Sequence, residues 1–249
     1  MTKKLFYAAC IVAMALTGCK KDPQPEPTPE PQTVSRIANY VVKTNSNGLT
    51  MTMSRHYTWE NGVLVQTVDS LISSVMAPRV SVERYVYENG LLVKKEETSG
   101  KWQHYLTYED GLLKTFVDIN NNDTLYSGEI LSYTANGEVE EMIIMDTRIV
   151  KYHFTWENGD AVQMLKYVIA PAEVADTTVS NYTFDNKLCP FDGVPLGSEL
   201  ETFFIIERQS KHNIIEPEYT YTYDDQNRLI SKEKEGESIT YQYIEQTIR

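Results

Sequence analysis

One short phrase recurs along this chain and dictates most of what it can fold into. His56-Tyr57-Thr58-Trp59-Glu60-Asn61-Gly62 returns almost unchanged as His153-Phe154-Thr155-Trp156-Glu157-Asn158-Gly159. It appears again as Tyr85-Val86-Tyr87-Glu88-Asn89-Gly90 and Leu106-Thr107-Tyr108-Glu109-Asp110-Gly111. Looser copies are Tyr133-Thr134-Ala135-Asn136-Gly137, Tyr182-Thr183-Phe184-Asp185-Asn186-Lys187 and Tyr221-Thr222-Tyr223-Asp224-Asp225. Five of these copies join aromatic and β-branched residues, which suit a pleated surface, to an Asx-Gly pair, which accepts the positive φ of a two-residue hairpin turn. Of the 12 glycines, those at 48, 62, 90, 111, 137, 159 and 193 follow Asn or Asp. The chain therefore reads as a train of hairpins.

The phrase also sets a register. The second residue after the turn glycine is always apolar (Leu64, Leu92, Leu113, Val139, Ala161), whereas the first varies. In a two-residue hairpin that position faces the aromatic three before the glycine, which predicts the pairs Trp59 with Leu64, Tyr87 with Leu92 and Tyr108 with Leu113. Return turns are expected near Pro78, Ser99-Gly100, Asn120 to Asp123 and Asp146-Thr147. The fold class is mainly β: a large antiparallel meander of about 14 to 15 strands, a curved single sheet or a partly closed barrel. A four-stranded propeller blade takes about 40 residues, more than these spacings allow. One short helix is expected near 198–210, where Ser198-Glu199-Leu200-Glu201 reads as a capping box and Leu196, Leu200, Phe203 and Phe204 follow helical spacing.

Ahead of the hairpins lie two segments of different character. Lys3 and Lys4 precede an apolar run from Leu5 to Leu16, the length of a signal peptide core and too short to span a bilayer. Leu16-Thr17-Gly18-Cys19 resembles the bacterial lipobox, which implies cleavage after residue 18 and lipidation of Cys19. Residues 19–33 then form a stalk in which Pro23, Pro25, Pro27, Pro29 and Pro31 alternate with polar residues. Such a stretch is extended polyproline, roughly 28 Å over nine residues. The hairpin domain is expected over 34–249. Of the 3 cysteines, Cys10 leaves with the leader and Cys19 is lipidated. Cys189 therefore has no disulfide partner, and it reads as a small buried apolar residue.

The net charge of −12 and the absence of a long basic stripe exclude a nucleic-acid partner. With 41% hydrophobic residues the chain is too apolar to be disordered.

The stretch Tyr221 to Leu229 is similar to the YD repeats of large bacterial surface proteins. Together, the lipobox, the proline stalk, the Glu-Asn-Gly hairpins and Phe184-Asp185-Asn186-Lys187-Leu188-Cys189-Pro190-Phe191 resemble a family of bacterial lipoproteins with a domain of unknown function and a porin-like fold. The resemblance covers most of 34–249. It implies a porin-like sheet, held at the cell envelope and most simply at the outer membrane by its lipid alone. Membrane insertion of the sheet is not expected, because Lys95 and Glu97 fall on one face of their strand and Lys94 and Glu96 on the other.

Candidate chemistry is sparse. Asp118, Asn120, Asn122 and Glu129 stand at positions 1, 3, 5 and 12 of a calcium-type loop, but Asp123 takes the place of its turn glycine and both flanks read as strands. His56, His104 and His153 lie on different hairpins, so metal ligation would need them to converge. Glu60, Glu88, Glu109 and Glu157 flank the turns. Ser70, Thr124 and Thr177 sit in short motifs resembling bacterial O-glycosylation sites. Tyr219, Tyr221, Tyr223, Tyr241 and Tyr243 are candidate ligand-stacking aromatics, unless they only stabilise the sheet. No cofactor and no catalytic motif is indicated. The expected function is a non-enzymatic binding or structural module whose partner is a glycan or an envelope protein, with a hydrolase acting on extracellular glycan as the alternative.

Overall fold

A computed structural model of the chain describes residues 32–170, 176–196 and 202–248. The leader, Cys19, the stalk up to Pro31 and the capping-box residues lie outside the described residues.

The repeats fold as a meander. Its first twelve strands are β1 (Gln32–Ser46), β2 (Leu49–Glu60), β3 (Val63–Ser73), β4 (Arg79–Glu88), β5 (Leu91–Glu97), β6 (Trp102–Glu109), β7 (Leu112–Asn120), β8 (Asp123–Tyr133), β9 (Val139–Met145), β10 (Ile149–Glu157), β11 (Asp160–Ala170) and β12 (Thr177–Asn181). After β13 (Thr183–Leu188), helix α1 (Thr202–Gln209) and β14 (His212–Ile215), the chain ends in β15 (Thr220–Tyr223), β16 (Leu229–Lys234) and β17 (Glu237–Ile248). Strand β17 returns to pair with β1, giving one antiparallel sheet of 15 strands with β12 and β15 at its edges. The sheet is not closed. Strands β13 and β14 form a separate two-stranded ribbon, which the repeat pattern did not foretell.

The hairpin tips behave as their sequence requires. Asn61, Asn89, Asp110 and Asn158 have φ between 50° and 54°, and the glycines after them have φ between 80° and 89°. The predicted pairs form: Trp59 faces Leu64, Tyr87 faces Leu92 and Tyr108 faces Leu113, and Tyr133 faces Val139 and Trp156 faces Ala161 in the same way. Directly behind each pair the register slips, so that one extra residue follows Leu64, Leu92, Leu113, Val139 and Ala161. Bulges bend a strand and increase its twist, and repeated at one level they curl the sheet.

Neighbouring hairpins part at the same level, because backbone pairing between β3 and β4 begins only at Gln66 and Arg84. The aromatic residue spans the gap. Tyr87 donates its hydroxyl to the Leu64 carbonyl at 2.8 Å, Tyr108 to Leu92 at 2.8 Å and Tyr133 to Leu113 at 2.5 Å. Trp59 and Trp156 donate Nε1–H to Ile37 at 2.8 Å and Val139 at 2.7 Å, and Tyr243 donates to Leu229 at 2.8 Å. Burial pushes the phenols of Tyr87 and Tyr133 up to about 12, which keeps them protonated donors.

The described stretches 189–196 and 202–211 plug this end of the sheet. Phe191, Val194, Ile205 and Ile206 are buried in the main core. Gln209 accepts from the Val139 amide at 2.9 Å, Ser210 from the Ala161 amide at 3.1 Å, and His212 holds Asp160 through its backbone and ring nitrogens at 3.0 and 2.7 Å. The expected helix is thus present, with its described turns over Thr202–Gln209.

Removing one rung isolates its contribution. Tyr108→Phe leaves the Leu92 carbonyl without its donor and should cost about 1–2 kcal/mol in urea unfolding. Gly128 lies under the Phe116 ring, and a Cβ there would stand 2.0 Å from Cζ. Gly128→Ala should destabilise by about 1–3 kcal/mol through overpacking, seen as a lower melting temperature.

Candidate functional site

The inward face changes character along each strand. On β2 the inward positions run from Trp59 and Tyr57, 6% and 3% exposed, through Arg55 to Met53, 42% exposed. The tip end of the concave face is filled, and the end formed by the return turns is open.

A polar belt crosses this face. Arg55 faces Asp69, Asp69 faces Ser81, Glu83 faces Glu97, Lys95 faces His104, His104 faces Asp118 and Asp118 faces Tyr126. Above the plug the belt encloses a cavity of about 1110 Å³, floored by Tyr40, Phe191 and Arg208. The Arg208 guanidinium lies 4.2 Å over the Phe191 ring. The cations lining the cavity are Arg55, Arg79, Lys95 and Arg208. The anions lining it are Asp69, Glu97, Asp118 and Asp146.

Most of these charges are held by a neighbour. Arg55 grips Asp69 with two hydrogen bonds, at 2.6 and 2.7 Å. Glu83 and Glu97 would repel one another across the strands. Lys95 Nζ, 3.4 Å from Glu83, and the Ser81 and Ser99 hydroxyls, which donate to Glu97 at 2.9 and 2.5 Å, relieve that repulsion. The Ser99 and Ser81 donors hold Glu97 below the usual carboxylate range. Burial alone would raise Asp118, but hydrogen bonds from His104 and Tyr126 outweigh it and hold that carboxyl low as well. His104 Nδ1 lies 3.1 Å from Asp118, the ring stacks on Phe116, and Nε2 is buried with no hydrogen-bond partner.

The sequence candidates fall elsewhere. The register sets Asp118 and Glu129 on opposite faces of β8 and its partner, and Glu129 pairs with Lys114 at 3.0 Å. Asn121 and Asn122, at φ 51° and 72°, make a plain hairpin turn, so the calcium candidates Asp118, Asn120, Asn122 and Glu129 do not converge. His56 and His153 face outward, away from His104. Ser70 is half-buried with its hydroxyl 2.7 Å from that of Ser54, whereas Thr124 and Thr177 are exposed. Cys189 donates to the Glu207 carbonyl at 3.0 Å, and burial pushes its thiol up to about 12, as suits a packing residue.

The tyrosine candidates need correction. Tyr241 is buried against Tyr40 and Phe191, Tyr221 accepts from the Glu216 amide, Tyr223 donates to Asp185, Tyr219 donates to Glu237 beneath two lysines, and Tyr243 is a rung of the tip ladder. Their hydroxyls are committed to holding the sheet and plug, and Tyr241, 5% exposed, offers no stacking surface. The exposed aromatic residue of the cavity is Trp102, 40% exposed, which the repeat analysis passed over. One signal was available: Trp102 is the single tryptophan that does not stand three residues before a turn glycine.

No family model matches this sequence, and neither does any curated protein. Among solved structures, a porin-like protein from Bacteroides uniformis is similar with a TM-score of 0.58 and 12% identity. The match covers 84% of this chain and 96% of that one. The fold is porin-like. At this identity the likeness extends to fold alone.

The plug holds one further acid. Burial pushes Glu207 up from its ordinary value of 4.5 to about 7, against the pull of Lys232 and Arg208 and with Glu216 adding to the rise. A carboxyl raised on folding binds its proton more tightly in the native state, so stability falls as pH rises from 4.5 to 7 and is level above that. The loss through this group is about 3 kcal/mol. In urea unfolding across that window, Glu207→Gln should flatten the decline and be more stable than the parent at pH 8.

Proposed function

We propose that this chain is a lipid-anchored cell-envelope protein that captures a ligand in the concave face of its sheet without acting on it chemically. The observation that carries the reading is the cavity of about 1110 Å³, walled by rigid strands and floored by a docked plug. Preformed concave sites with a few fixed polar groups are the usual form of a small-molecule site. Glycoside hydrolysis needs one carboxyl kept protonated beside an ionised one. Glu97 and Asp118 are both held low, which favours charged hydrogen-bond acceptors over a general acid.

The leader ending in Cys19 and the proline stalk support the anchor. The outward face, with Thr52, Ser54, His56 and Thr58 on β2 and the Lys94–Glu96 pair at 2.5 Å on β5, suits water rather than acyl chains. In this reading the chain is one of the bacterial lipoproteins whose domain has no known function, and the sheet itself stays out of the bilayer.

Both halves of the reading can be tested on full-length protein made in a Gram-negative host. The parent should partition into detergent and carry acyl mass on Cys19, and Cys19→Ala should move to the aqueous phase. Native mass spectrometry of protein taken from the envelope should show a small-molecule adduct. Met53→Trp, which narrows the cavity from an exposed position, should lower its occupancy. An adduct unaffected by Met53→Trp would reject the cavity as the site.

A further inference from the structure

We infer that the ligand is a neutral, hydroxyl-rich molecule, an oligosaccharide, stacked on Trp102 with one hydroxyl given to His104 Nε2. The inference rests on the cavity being the binding site and adds the chemistry of what it holds.

The first argument is charge. Among the described residues four cationic and four anionic side chains line the cavity, so in a formal count that leaves out His their charges cancel, although by the same count the whole chain carries −12. The inner charges are tied up in pairs: Arg55 with Asp69, Lys95 with Glu83, His104 with Asp118. An anionic or cationic ligand would find no excess of opposite charge here. An acyl chain would strip water from charged groups without replacing its hydrogen bonds. Sugar hydroxyls both donate and accept, and a wall of alternating donors and acceptors at fixed positions suits them.

The second argument is His104, which is 3% exposed and lines the cavity. Nδ1 carries the hydrogen that the Asp118 carboxylate accepts, and in that tautomer of the neutral ring Nε2, at the end away from its strand, is an acceptor without a partner. A buried acceptor left without a donor is unfavourable, and a ligand hydroxyl would supply one. The third is Trp102, a flat apolar surface 40% exposed in a lining that also holds Met53 at 42%. A sugar ring has one apolar face and a polar edge. An aromatic platform next to hydrogen-bonding groups engages both.

The test is a titration of purified full-length protein in a sugar-free zwitterionic detergent, followed by tryptophan fluorescence and calorimetry. The neutral probes are maltohexaose, cellohexaose, xylohexaose and chitohexaose; hexagalacturonate and palmitate are the acidic and apolar ones. At least one neutral probe should bind with a Kd below about 1 mM. Trp102→Ala should weaken it about tenfold or more with an unchanged melting temperature. His104→Phe should weaken it as well, and Tyr105→Ala, on the opposite face of β6, should not. Preferential binding of hexagalacturonate or palmitate, lost in Trp102→Ala, would overturn the inference and leave the cavity reading standing. Neutral binding insensitive to Trp102→Ala would also overturn it, and binding of no probe at all would remove both.

Discussion

The contact on which this architecture depends is the hydrogen bond from an aromatic side chain to the backbone carbonyl of the preceding hairpin. A sheet curls only if its strands bend and splay, and splaying breaks the ladder between neighbours. Each broken place would leave a carbonyl facing the core without a donor. Tyr87, Tyr108, Tyr133, Trp156 and Tyr243 close those places one after another, each reaching the hairpin before it. The same rings supply the apolar filling of that end, so curvature, hydrogen bonding and core formation are solved by one residue per repeat.

Because the tips are splayed and filled, the two ends of the sheet cannot be alike. The tip end takes the plug, whose Phe191, Ile205 and Ile206 complete the apolar layer. Among the described residues nothing equivalent enters from the end of the return turns, and there the inward positions carry Arg55, Asp69, Glu97 and Asp118 instead. Held by neighbouring side chains, these groups face the cavity. A porin-like sheet that is left unclosed and stoppered at one end has the form of a cup rather than a channel.

The repeating part of this structure was legible because its determinants are local. Asn61-Gly62 and its counterparts fix turn type, and turn type with strand alternation fixes the facing of Trp59 on Leu64. The helix was legible from its spacing. The bulges were not, since the residues after Leu64, Leu92 and Leu113 are Val65, Val93 and Lys114, with nothing in common to mark an insertion. The cavity was hidden for a different reason: Arg55 and His104 lie four strands apart and Arg208 comes from the plug, so only the curl brings them to one space. The tyrosines at the C-terminal end misled because their spacing puts like residues on a face without saying which face is buried.

Strand β1 holds a position unlike any other. It is the splice at which the last strand rejoins the first, paired with β17 from Gln32 to Thr44 and with β2 from Asn39 to Ser46. Its first residue, Gln32, lies at the plugged end beside Ile248, and its last, Ser46, at the open end. A pull on Gln32 along the strand would load the β17 ladder in shear from its first pair and the β2 ladder from Asn39 onward, so that many bonds resist together. The strand that closes the meander is in this way also the one best placed to bear tension.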